Sequence, residues 1–272
     1  MLLFIFLAIA AVLLLVLIAI WISIKPSNSR DWSLDQSILP YAEINGAMAT
    51  IHNIRNFAYM SATDYSPSYY TKAFDITKIA SVDYVIDPFS SWKAVAHAFL
   101  TFGFKDGEHV AISIEIRKKK GDSFSPIRGL FKQFEIMYVI ADERDVIRLR
   151  SNYRKDKVYM YPIKAPQEKI GELFLDMLTR ANKLRDQPEF YNTLANSCTT
   201  NIMNHANRIY PGSIPLSYRA VLAGYSDRYA FDLGLIDTDL TFEEARAQYM
   251  ISDRAVESAH DPDFSAKIRE AS

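Results

Sequence analysis

The first 23 residues carry no charged side chain and consist almost wholly of Leu, Ile, Phe, Ala and Val, with Trp21 near their end. As a helix rising ~1.5 Å per residue, such a stretch is long enough to cross a hydrocarbon core of about 30 Å. A cleaved signal peptide has a basic start, a shorter apolar run and small residues at its cleavage point, none of which is clear in residues 1–23. They are therefore assigned to a transmembrane anchor, whose partner is the lipid bilayer. Lys25 and Arg30 follow the span and no Lys or Arg precedes it; taken alone, that charge bias would hold the rest of the chain in the cytoplasm.

Residues 24–40 bring Pro, Ser, Asn and Asp in quick succession and read as a linker, leaving 41–272 as one domain. With 16 Tyr and 16 Phe, that domain is expected to be rich in sheet. A net charge of -1 leaves no basic footprint for nucleic acid.

The pattern along the domain is α+β. Alternation predicts strands over 47–59 and 83–87, the latter stopped by Pro88. Residues 94–104 and 109–117 flank Asp106-Gly107 and form the clearest hairpin signal. Further strands are expected over 134–141, 145–150 and 158–163, with Arg148 and Arg150 sharing one side of the middle one. From 165 onward the period changes. Ile170, Phe174, Met177, Leu178 and Ala181 recur at helical spacing, which predicts an amphipathic helix against the sheet. A second helix is expected over 197–209, closed by Tyr210-Pro211-Gly212, and Thr241 to Glu244 is a capping box for a third.

Cys198 is the only cysteine, so it has no disulfide partner within the chain. With Asn196 or Ser197 as N-cap, it falls in the first helical turn. There, unpaired backbone N–H groups and the helix dipole favour a thiolate and can receive an oxyanion. An inert buried cysteine is the competing reading, because free cysteine is among the most buried residue types. A nucleophile needs a base, and His97 is the best placed of the five histidines. Its strand neighbours one on which Ser113, Glu115 and Arg117 share a face, so Glu115 can orient it, and the start of the Cys198 helix is expected to face those polar residues. His205 lies about 10 Å from Cys198 along the same helix, beyond proton-transfer reach. His52 reads as a strand-end histidine, His109 starts a strand and His260 reads as a surface residue. No phosphate loop, metal-spaced cluster or repeat occurs, so neither a metal nor another cofactor is expected.

Several segments in order carry a family likeness: His52 to Phe57, Ala96 to Phe99 with Phe102 to Phe104, Ser113 to Arg117, Gly129 to Glu135, and Asn196 to Thr200. With these motifs the chain resembles the bacterial Lnb N-terminal periplasmic domain family over roughly 30–250. The resemblance implies a circularly permuted papain-like (NlpC/P60-type) α+β domain, with an antiparallel sheet packed on helices and histidine before cysteine in the chain. It further implies a periplasmic domain on an inner-membrane anchor, against the charge bias at Lys25 and Arg30. The implied activity is cysteine-dependent acyl transfer from a phospholipid or lipoprotein substrate, as in lipoprotein N-acylation. Catalytic roles then fall on Cys198, His97 and Glu115, and supporting or substrate-binding roles on Asn53, Arg55, Ser113, Arg117 and Asn196. A cysteine amidase or peptidase, and a non-catalytic envelope binding domain, are the alternatives.

Overall fold

The computed structural model describes residues 1–270. The apolar run forms α1 (Leu2–Ser23), none of whose residues is buried. A helix that is apolar on every side and uncovered by protein finds its partner in lipid. Its end touches the domain: Trp21 packs edge-on against Phe131 with ring centroids 6.3 Å apart, and its carbonyl accepts from Lys132 Nζ at 2.9 Å.

The domain is built on one eight-stranded sheet. Its strands are β1 (Tyr41–Asn45), β2 (Met48–Arg55), β5 (Tyr69–Asp75), β6 (Ile79–Asp87), β7 (His97–Phe104), β8 (His109–Arg117), β9 (Glu135–Asp142) and β10 (Tyr159–Pro162), while β3 (Ala58–Tyr59) and β4 (Tyr65–Ser66) pair apart from it. The order is β1-β2-β9-β8-β7-β6-β10, with β5 also on β2. The β7–β8 hairpin turns at Gly107, whose φ of +84° is cheap only for glycine. The expected antiparallel sheet is in fact mixed, since β2 meets β9 in parallel at Arg55↔Ala141.

Both faces of the sheet's centre are covered, so nearly every residue of β6 to β9 is buried, whereas β1 and β5 lie largely open. On one face, Leu100, Phe102, Ile112 and Ile140 pack under α3 (Gln167–Asp186) and α4 (Cys198–Ile209), where Phe174 meets the rings of Phe74, Phe102 and Phe104. On the other, Val85, Phe99, Ala111 and Val139 pack under Val146 and Ile147 and under the C-terminal Phe264 and Ile268.

One predicted strand is a helix. Residues 145–150 lie in α2 (Glu143–Arg148), which continues as a π-helical turn through Leu149–Arg154. The Asp142 carboxylate caps it by accepting from the Arg144 N–H, and Val146, Ile147 and Arg150 share its buried side at helical spacing. Four alternating residues fit either period, and the cap decides.

The 24–40 linker is docked on the domain. Trp32 is buried beneath the Arg117 guanidinium, 4.3 Å from its ring centroid, and Arg117 also donates to Asn28 Oδ1 and to the carbonyls of Gln36 and Ser37. Arg30 is paired with Glu135 at 2.6 Å.

Candidate active site

The start of α4 is tied down on three sides. Ser197 is its N-cap, in a capping box with Thr200, so two amides of the first turn are satisfied from within. Asn196 donates to the Phe190 carbonyl at 2.8 Å and accepts from Asn201 Nδ2 at 2.8 Å. Thr199 Oγ1 donates to the Val221 carbonyl at 3.0 Å. Cys198 is thereby fixed at the first helical position, buried on the apolar face of the sheet rather than facing the polar residues of β8.

The thiol sits where the β7–β8 ladder opens. Registered pairs end at Phe99↔Ser113, and the next amide toward the strand start, Ala98 N–H, favours the Cys198 thiolate. Burial pushes the thiol up to about 11, helped by the Asp87 carboxylate and opposed by the N–H groups of Ala98, Thr199 and Cys198 itself. At rest the group is a protonated thiol with three amides ready to receive negative charge.

On the opposite face, His97, Ser113 and Glu115 form one hydrogen-bonded chain. His97 Nε2 lies 2.8 Å from Ser113 Oγ, and Ser113 Oγ donates to Glu115 Oε1 at 2.9 Å. A carboxylate only accepts, so the single hydroxyl proton of Ser113 is committed to Glu115. His97 Nε2 must then donate to Ser113, which leaves Nδ1 as the basic nitrogen. Burial and the Arg150 cation lower His97 to about 3 against the pull of Glu115, so the imidazole is neutral. Burial opposes ionisation of Glu115, but the Arg150 and Arg55 cations and the Ser113 hydroxyl hold its carboxyl well below the usual range.

Arg150 completes this buried layer. It lies 3.4 Å from Glu115 Oε1 and 3.2 Å from Asp87 Oδ2, and stacks over Phe99. Asp87 is pushed up to about 7 by burial, against the pull of Arg150. Gln36 covers the cluster, donating to Glu115 Oε2 at 3.3 Å.

The structure therefore brings His97, Ser113 and Glu115 together and sets Cys198 against the amide next to His97. Thiol and imidazole lie on opposite sides of β7, and among the described residues no hydrogen bond joins them. Arg55 lies deeper in the layer, paired with Asp145 at 2.7 Å. Asn53 holds the bulge in β2 at φ +61°, a conformation asparagine tolerates, and donates to the Leu39 carbonyl. Arg117 binds the docked linker, as described above.

Sequence reasoning missed Asp87, Gln36 and the Ala98 amide, and put Arg150 on a strand. A charged residue closing the apolar run of β6 was the available signal for Asp87. His205 is buried between the Tyr138 hydroxyl and the Asp176 carboxylate, 2.6 Å from each, and so links α4 to β9 and α3. His52 stacks on Tyr41, and His260 is exposed. Among the described residues, no group of three or more His, Cys, Asp or Glu is placed to hold a metal ion.

An apolar cavity of about 500 Å³ lies between α3, α4 and the sheet, with Thr199 rather than Cys198 as its first lining residue on α4, and it is within the usual size range of small-molecule sites. Thr199, Ile202 and Met203 of α4, Leu173 of α3, and Tyr84 and Leu100 of the sheet line it. Thr199 follows Cys198 in the chain, and the Tyr84 phenol is raised by burial and, more weakly, by the Cys198 sulfur.

The model of the Lnb N-terminal periplasmic domain matches residues 65–224. No curated protein and no solved structure matches the chain.

Proposed function

The chain belongs to the Lnb N-terminal periplasmic domain family, and from that premise and the seat of its thiol we propose a membrane-anchored cysteine acyltransferase acting on lipid-linked substrates. The family's periplasmic domain together with α1 makes the protein a single-pass inner-membrane protein whose domain lies in the periplasm. Arg30, whose charge argued otherwise, is neutralised by Glu135 of the folded domain.

The observation that carries the proposal is Cys198 at a capped helix start, where the N–H groups of Ala98, Thr199 and Cys198 favour its thiolate and the next residue, Thr199, lines an apolar cavity. The apolar lining of that cavity, which begins one residue after Cys198 on α4, favours an acyl chain over a polar peptide as the transferred group. Histidine on a strand before cysteine on a helix start supports the permuted papain-like assignment of the domain.

In the proposed reaction, the start of β7 shifts as the acyl ester enters and carries His97, its first residue, round the strand edge to the Cys198 side, where Nδ1 takes the thiol proton while sulfur attacks the ester carbonyl. The N–H groups near the sulfur receive the oxyanion. Collapse expels the alcohol, which takes its proton from His97, and leaves a thioester. An amine then attacks the thioester carbonyl and loses its proton to Nδ1. Collapse forms the amide and returns the proton to the thiol. At rest, Ser113 and Glu115 set the tautomer that leaves Nδ1 as the base.

The test is release of lysophospholipid by the full chain in phospholipid nanodiscs, with and without a lipopeptide bearing a free amino terminus. Amine-dependent release with matching amide formation, lost in Cys198→Ala, is expected. Release that proceeds to free fatty acid regardless of the amine would make the enzyme a hydrolase, and equal release by Cys198→Ala would end the proposal.

A further inference from the structure

Three loops lead into or out of the site residues, and each has apolar side chains in the open. Residues 88–96, which enter β7 at His97, expose Phe89 and Trp92; residues 118–134, which leave β8 after Arg117, expose Phe124, Ile127 and Phe131; residues 188–197, which enter α4 at Cys198, expose Leu194. Trp92 is 65% exposed, Ile127 61% and Leu194 53%, values that water disfavours for side chains of this size.

The loops form one surface. Phe89 and Phe124 meet with ring centroids 5.7 Å apart, and Thr193 Oγ1 donates to the Pro126 carbonyl at 2.6 Å. This surface is also continuous with the membrane span, because Phe131 packs on Trp21 and Lys132 binds the Trp21 carbonyl and lies over its ring. Tryptophan at the end of a span marks the depth of the interface, so residues touching Trp21 are held at that depth. The basic residues here suit an anionic surface: Lys132 is at the helix end, and Lys119, in the same loop, forms no ion pair among the described residues.

We infer that these three loop tips insert into the periplasmic leaflet of the membrane that α1 crosses, so that the mouth of the site opens onto the bilayer. The occupant of this surface is lipid. Apolar tips lie among the acyl chains while lysines meet the headgroups, as in interfacial membrane binding. A lipid-borne group then reaches the loops around His97 and Cys198 without passing through water.

This inference stands whether or not Cys198 is a nucleophile, and its test needs no activity. In the full chain carrying Cys198→Ala, a nitroxide is attached at Ile127→Cys, Leu194→Cys or, as control, Asp106→Cys. Asp106 turns the β7–β8 hairpin at the end away from His97, roughly 25 Å off at ~3.3 Å per strand residue. The samples are reconstituted in nanodiscs of phosphatidylethanolamine and phosphatidylglycerol, and collision with oxygen and with a water-soluble nickel chelate reports depth. Labels at 127 and 194 are expected to favour oxygen, as lipid-embedded sites do, while the label at 106 favours the chelate. Labels at 127 and 194 that match the one at 106 would overturn the inference.

Discussion

Nε2 of His97 lies 2.8 Å from Oγ of Ser113, and because that hydroxyl gives its proton to Glu115, the imidazole is fixed with its free lone pair on Nδ1. A serine two residues along a strand from a glutamate thus sets the tautomer of a histidine on the neighbouring strand.

Ser113→Ala removes the relay while leaving the fold in place. The turnover rate is expected to fall about ten- to hundredfold with KM little changed, the pattern of a lost orienting contact. Ser113→Thr, which keeps the hydroxyl, should recover most of the loss. Steady-state kinetics of the three proteins on one phospholipid substrate checks this.

Burial and Arg150 place the folded His97 at about 3, against about 6.5 for an unfolded imidazole. Between these values the unfolded chain binds a proton that the folded one refuses. The stability contributed by the neutral imidazole is therefore fully present above about 6.5 and lost as pH falls toward about 3. Nitrogen NMR should find His97 neutral and protonated on Nε2 at pH 5, and His97→Gln should flatten the fall in urea midpoint between pH 6.5 and 5. A normal titration near 6.5 would contradict the assignment.

Arg55 and Asp145 are both buried, and Asp145 also accepts from the Phe57 N–H. Arg55→Ala strands a carboxylate and should cost about 3–5 kcal/mol of stability. Adding Asp145→Asn removes the charge while keeping an oxygen for Phe57, and should recover part of that loss. Denaturant unfolding of the two single variants and the double variant measures this coupling.

Much of this arrangement was legible in local pattern. Asp106-Gly107 specified the hairpin that carries His97 and Ser113, the spacing from Ile170 to Ala181 specified α3, and a polar cap before Cys198 marked the start of α4. Two features were not legible. Arg150 is buried by Asp87 and Glu115, which come from distant strands, so nothing in 145–150 distinguished a half-exposed strand from a capped helix. The side of the sheet taken by α4 was equally hidden. Ser113, Glu115 and Arg117 marked a polar face, but that face is closed by α2 and the docked linker, and α4 lies on the apolar one.

The thiol at the start of α4 is tested most directly by trapping what it carries. The full chain is incubated with a phospholipid of one defined acyl chain, quenched in acid and measured by intact mass, with the modified peptide mapped. A mass gain of one acyl chain on the peptide containing Cys198, released by neutral hydroxylamine and absent in Cys198→Ala, is expected. A wild-type protein that never gains the adduct while still releasing lysophospholipid, or a Cys198→Ala variant that releases it equally well, would contradict the account.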